Sequence, residues 1–116
     1  MSAAPDNLRI RVETSDGVSV LSLEGEIAFS NAPALLEQAA RVAGAGARHL
    51  IVDLSQVSYL DSSGVGTLVQ IKRMVEQAGG GLALAALQPR VLGVFQITNL
   101  TQFFRIAPTV DEARGG

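Results

Sequence analysis

An apolar stripe at helical spacing, Leu68, Ile71, Val75 and Ala78, lies between two short apolar runs, His49–Leu54 and Leu82–Leu87. Gln70, Arg73 and Gln77 fall on the opposite side of that stripe, so the middle segment is an amphipathic helix, and Gly79-Gly80-Gly81 ends it. The run His49-Leu50-Ile51-Val52-Asp53-Leu54 is short and β-branched, as a buried central strand is. Strand, helix and strand in succession require a crossover connection, which is right-handed almost without exception and makes the two strands parallel. This unit restricts the chain to an α/β fold with a largely parallel section.

The flanking segments extend the pattern. Leu8-Arg9-Ile10-Arg11-Val12-Glu13 alternates apolar and polar residues, and Val18 to Leu23 resumes the alternation after Asp16-Gly17, so the two read as an antiparallel hairpin. Ser30 or Asn31 can cap a helix with Pro33 in its first turn, and Leu35, Leu36, Ala39, Ala40 and Val42-Ala43 form its apolar stripe before Gly44 and Gly46. Pro89 opens a further helix through Ile97, with Asn99 as a left-handed stop, and Phe103-Phe104-Arg105-Ile106 reads as a last strand. Thr109 to Gly116 is either a short helix or a frayed tail. The expected fold is therefore a mixed sheet of four to five strands with an N-terminal antiparallel hairpin and three to four helices. We read residues 1–116 as one domain with a polar tail at 1–7 and frayed residues at 112–116.

Composition excludes several chemistries. The 116 residues contain no cysteine and one histidine, His49, so thiolate sites, His-cluster metal sites and most triads are ruled out, and no metal or cofactor is expected. Formal net charge is −2, and the nine Lys and Arg are scattered, which argues against nucleic-acid binding. No apolar run reaches the roughly 18 residues of a membrane span. Met1 to Asn7 lacks the basic-then-apolar order of a signal peptide, so we expect a cytoplasmic chain. Gly64-x-Gly66 lacks the third glycine of a dinucleotide loop, and Glu24 and Glu26 have no cleft to act in as a catalytic pair. An enzyme or nucleotide-binding domain is disfavoured.

The informative stretch is Asp61-Ser62-Ser63-Gly64-Val65-Gly66, placed where the central strand's loop meets the next helix. Ser62 or Ser63 can serve as N-cap, which by itself needs no further role. Gly64 and Gly66 in the first turn cost about 1 kcal/mol each in helix propensity. Their placement suggests a surface stripped of side chains, which another protein's active site can approach. A phosphate there would meet the positive end of the helix dipole and free N–H groups, and would add about −1.5 to −2 charges beside Asp61. These features favour Ser62 as a modified residue, with Ser63 the second choice. Asp61 can form an Asx turn in the loop, which is compatible with positioning the serine. Val65 and Val94 are open between core packing and a partner surface. Of Leu92, Val94 and Phe95, at least one is expected to face outward. Asp53 and Ser55 are expected to stabilise the loop after the strand.

Asp53-x-Ser55-x-Val57 followed by Asp61-Ser62-Ser63-Gly64-Val65-Gly66 resembles the signature of the STAS family of anti-sigma factor antagonists. Leu23-Glu24-Gly25-Glu26-Ile27, Asn31-Ala32-Pro33-Ala34-Leu35, Gly79-Gly80-Gly81-Leu82 and Pro89-x-Val91-x-x-x-Phe95-x-Ile97-Thr98-x-Leu100 extend the resemblance over nearly the whole chain. Ala28, Gly93 and Asn99 depart from the family pattern and none of them touches Ser62. The resemblance implies a non-enzymatic switch. The unphosphorylated form would bind an anti-sigma factor that is also a serine/threonine kinase with a histidine-kinase-like ATPase fold, releasing the sigma factor. Phosphorylation of Ser62 would end that binding, and a PP2C-type phosphatase would restore it. Asp61, Ser63, Gly64, Val65, Gly66 and Val94 would belong to the phosphosite loop and docking surface, and the protein would be a monomer or weak dimer. The alternatives are a STAS subunit of a phospholipid-transport or stressosome-like assembly, and a partner-switching regulator with an output other than a sigma factor.

Overall fold

The Asp16-Gly17 turn adopts positive φ at both residues, 53° and 78°, the geometry whose twist matches two flanking antiparallel strands. It joins β2 (Leu8–Ser15) to β3 (Val18–Ile27), which pair from Ser15↔Val18 to Leu8↔Gly25. A two-residue strand, β1 (Ala3–Ala4), pairs with Leu8 and Arg9 on the outer side of β2. The computed structural model describes residues 3–4 and 7–115. Met1, Ser2, Pro5, Asp6 and Gly116, parts of the expected tail and frayed end, lie outside the described residues.

Beyond the hairpin the chain runs through α1 (Ala32–Gly44), β4 (His49–Leu60), α2 (Ser62–Gln77), β5 (Gly81–Ala85), α3 (Pro89–Ile97), β6 (Arg105–Ala107) and α4 (Val110–Gly115). The strands lie in the order β1-β2-β3-β4-β5-β6, antiparallel up to β3 and parallel from β3 to β6. The mixed sheet is as expected, with β1 as an addition.

The sheet has two unequal faces. Leu21 and Leu23 of β3, Leu50, Val52 and Leu54 of β4, and Leu82 and Leu84 of β5 point toward α1, α2 and α3 and form the main core with Leu35, Leu68, Ile71, Val75 and Phe95. On the other face Val20, Ile51, Ala83, Ala85 and Ala107 are covered by Ala113 of the short helix α4.

Four expectations are corrected. The central strand does not stop at Leu54 but continues through Leu60, still paired with β3. Ser22 pairs with Asp53 but Glu24 with Gln56, and Gly25 with Val57 but Glu26 with Tyr59, so β4 gains one residue at each of two bulges. Beyond Leu54 the apolar run is broken by Ser55, Gln56 and Ser58, and β5 pairs with β4 only as far as Asp53. Asp53 does act locally: its Oδ1 accepts the Ser55 N–H at 2.9 Å, at the first bulge.

Ala78 is exposed at the C-cap of α2 rather than buried on its stripe, because Gly79 at φ 88° turns the chain away. Strand β5 ends at Ala85, where Ala86 turns to φ 59° and donates its N–H to Ala107 O at 3.0 Å. Asn99 is left-handed at φ 59°, as expected, but Phe103 and Phe104 belong to the turn that follows, not to β6. Phe104 is held there by an edge-to-face contact with Phe95, ring centroids 5.4 Å apart.

Candidate functional site: the Asp61 junction

The C-terminal end of β4 delivers Asp61 to the start of α2 in extended conformation, φ −100° and ψ −175°. Its Oδ1 accepts the N–H of Gly64 at 3.1 Å, and its backbone oxygen accepts the Val65 N–H at 3.1 Å. Asp61 is therefore the N-cap, and the expectation of Ser62 or Ser63 in that role is corrected. An aspartate is as good a cap as serine and adds a negative charge at the positive end of the helix. Ser62 becomes the first helical residue and is exposed; Ser63 follows and is half-buried. The N–H groups of Ser62 and Ser63 have no partner among the described residues.

The same carboxylate reaches across to the loop between β3 and α1. Asp61 Oδ2 accepts the Phe29 N–H at 3.3 Å, and the Asp61 N–H donates to Ile27 O at 3.1 Å. Asn31, 1% exposed, shapes that loop from the other side. Its Oδ1 accepts the Ala28 N–H at 2.9 Å and its Nδ2 donates to Glu26 O at 2.9 Å. Asn31 precedes α1 in N-cap position without making a side-chain cap bond, because its amide is committed to the loop. Two polar side chains thus hold the backbone on which Phe29 stands 80% exposed. Phe29 was missed in the sequence. The available signal was a lone aromatic between the Gly25-Glu26 turn and the Asn31-Ala32-Pro33 helix start.

The glycines divide into two roles. A Cβ on Gly64 would lie 2.6 Å from Leu60 Cδ1 and 2.9 Å from Ile27 Cγ2, so this glycine lets α2 pack closely on the ends of β3 and β4. It is buried and does not bare the surface around the serines, contrary to expectation. Gly66 is exposed with open space at its Cβ position and does leave that surface bare. Val65, 8% exposed, belongs to the main core, which removes it from the candidate docking surface. Val94 is half-buried against the core from α3 and Phe95 is buried, whereas Leu92 is half-buried without belonging to the core; the most exposed apolar residue of that helix is Ile97, 83% exposed.

A groove of about 230 Å³ opens beside the junction, lined by Phe29, Ala32, Pro33, Leu36, Ser63, Thr67 and Gln70. Ser63 and Phe29 thus share one surface with the N-terminal turns of α1 and α2, and Val94 does not line it. A larger cavity, about 540 Å³, lies elsewhere, among residues such as His49 and Gly81 at the N-terminal ends of β4 and β5. Ser62 follows the C-terminal end of β4, so that cavity is separate from the junction. Among the described residues no group of three or more His, Asp or Glu side chains could hold a metal ion, and no helix is long and apolar enough to cross a membrane.

The family model described as "STAS domain" matches residues 9–113. The anti-sigma-B factor antagonist of Bacillus subtilis is 35% identical over 101 residues, covering 87% of this chain and 92% of the relative. The crystal structure of an anti-sigma factor antagonist from Mycobacterium paratuberculosis superposes with a TM-score of 0.86 at 34% identity, covering 97% of this chain and 96% of that one. The Bacillus cell fate determinant SpoIIAA, solved in its phosphorylated form, superposes with a TM-score of 0.71 at 25% identity over 91% of this chain and 96% of that one.

Proposed function

The chain belongs to the STAS domain family, and we propose that within it the protein is an anti-sigma factor antagonist switched off by phosphorylation of Ser62. The observation that carries this reading is the division of labour at the junction. Asp61 caps α2, so the exposed Ser62 hydroxyl has no capping duty and can serve another purpose. The names of relatives support the binding half of the proposal, and the phosphorylated form of SpoIIAA supports the modification.

The partner is an anti-sigma factor that is also an ATP-dependent serine kinase, and catalysis and nucleotide belong to it. It moves the γ-phosphoryl group of ATP to Ser62 Oγ; the hydroxyl proton goes to the kinase's base and ADP leaves. The new phosphate stands at the positive end of α2, within reach of the idle N–H groups of Ser62 and Ser63. It also adds about −1.5 to −2 charges next to the Asp61 carboxylate. The domain need not unfold, because the change falls on the docking surface formed by Ser62, Ser63, Gly66 and Phe29. A loss of a few kcal/mol at the centre of an interface lowers affinity by two decades or more. A PP2C-type phosphatase hydrolyses the phosphoserine and restores binding.

The test is capture of partners from the native cell extract on wild-type, Ser62→Ala and Ser62→Asp baits. Wild type and Ser62→Ala should retain an ATPase-type kinase, and Ser62→Asp should lose it. Incubating wild type with that kinase and ATP should place phosphate on Ser62. Equal retention on all three baits would sink the switch and favour a constitutive STAS subunit of another assembly. A captured kinase whose own second partner is not a sigma factor would redirect the output while leaving the switch.

A further inference from the structure

The outer edge of β2 carries a backbone and charge pattern that is complementary to itself. A two-residue turn places Ser15 and Val18 as a hydrogen-bonded pair, so the odd residues of β2 turn their N–H and C=O groups toward β3. The bond from Glu26 N–H to Asn7 O, 3.2 Å, fits that assignment. Leu8, Ile10, Val12 and Thr14 therefore direct theirs outward. Strand β1 pairs with Leu8 and Arg9, and among the described residues no strand pairs with the edge from Val12 to Thr14. An open edge of this kind is a template for another strand.

The side chains of the edge select a partner. Within the hairpin Arg9 faces Glu24, but Arg11 faces uncharged Ser22 and Glu13 faces Val20. Arg11 and Glu13 are both exposed, and Val12 between them is 36% exposed. We propose that a second copy of this chain adds to the edge, β2 against β2 antiparallel about a two-fold axis at Val12. In that register Val12 meets its own counterpart, Ile10 meets Thr14, and Arg11 stands opposite Glu13 twice over. All the outward N–H and C=O groups of Ile10, Val12 and Thr14 then find partners. Shifting the register by two residues either way stacks Arg11 on Arg11 or Glu13 on Glu13, which opposes pairing. The partner's Ser15 would arrive beside Arg9, where Ala3 lies, so the dimer competes with the short β1 pairing and forms reversibly. The interface is distinct from the Asp61 junction, which follows β4.

Sedimentation equilibrium of the full chain over a wide concentration range tests this. Wild type should rise from one toward two chain masses with concentration. Arg11→Glu and Glu13→Arg should each weaken association by about tenfold or more, and the double variant Arg11→Glu/Glu13→Arg should restore it. Val12→Pro removes an outward N–H without touching the β2–β3 ladder and should abolish the dimer while circular dichroism stays unchanged. A wild type that remains monomeric at its highest soluble concentration overturns the proposal. So does a dimer whose charge-swapped double variant fails to recover.

Discussion

The Asp61 carboxylate accepts the backbone N–H of Phe29 at 3.3 Å across 32 positions of sequence, while its other oxygen caps the helix that begins with Ser62. One side chain therefore sets both the presentation of the serine and the loop that carries the exposed aromatic beside it. Replacing it separates the two tasks. Asp61→Ala loses both bonds and should cost about 1–2 kcal/mol in urea unfolding. Asp61→Asn keeps an oxygen for the cap but offers an NH₂ group where Phe29 needs an acceptor, and should cost under about 1 kcal/mol. Amide exchange at Phe29 should accelerate in both variants, and an unchanged rate in Asp61→Asn would contradict the tether.

Phe29 is expected to be an anchor for the kinase partner. Its side chain is largely in solvent, so Phe29→Ala should shift stability by less than about 0.5 kcal/mol. Affinity for the captured kinase should fall by about tenfold or more, as truncating an interface aromatic does. Calorimetric titration reads the second quantity. Equal affinity would remove Phe29 from the docking surface without affecting the role of Ser62.

The two motif glycines should respond in opposite directions to the same substitution. Gly64→Ala forces a methyl against Leu60 and Ile27 and should destabilise by about 1–3 kcal/mol. Gly66→Ala meets open space on an exposed helix surface and should stabilise by up to about 1 kcal/mol. Thermal unfolding of the pair decides it, and a destabilised Gly66→Ala would show that the helix start is packed differently.

Asn31 is buried and holds the Ala28 N–H and the Glu26 carbonyl. Asn31→Ala should cost about 2 kcal/mol, since both backbone groups are left without that partner in a closed loop. Urea midpoints measure it, and a loss no larger than that of an exposed loop substitution would mean the loop relaxes to water.

Much of the site was legible because its signals are local. Asp61, Ser62 and Ser63 stand together in the chain and the helix start follows from their types, although which of them caps it was misassigned. Cap choice depends on the φ and ψ of the residue leaving β4, and those are set by pairing with β3. Gly64 is read as a surface residue, and Val65 is left open between core and surface, for a related reason. Position in a motif says nothing about which side of the first turn faces Leu60 and Ile27.

The amino-acid sequence by itself determined the α/β order, the Asp16-Gly17 hairpin turn, the bounds of α3 and the left-handed stop at Asn99. Each rests on periodicity or backbone preference within a few residues. Tertiary structure alone decided that β4 continues to Leu60 through two bulges, and that Asp61 reaches Phe29. Each extra residue at a bulge moves the strand's end relative to its neighbour, and only the register against β3 reveals where that end lies. The exposed aromatic is joined to the serine's helix by the Asp61–Phe29 bond across the ends of those strands, so it could be placed beside the serine only once the sheet was formed.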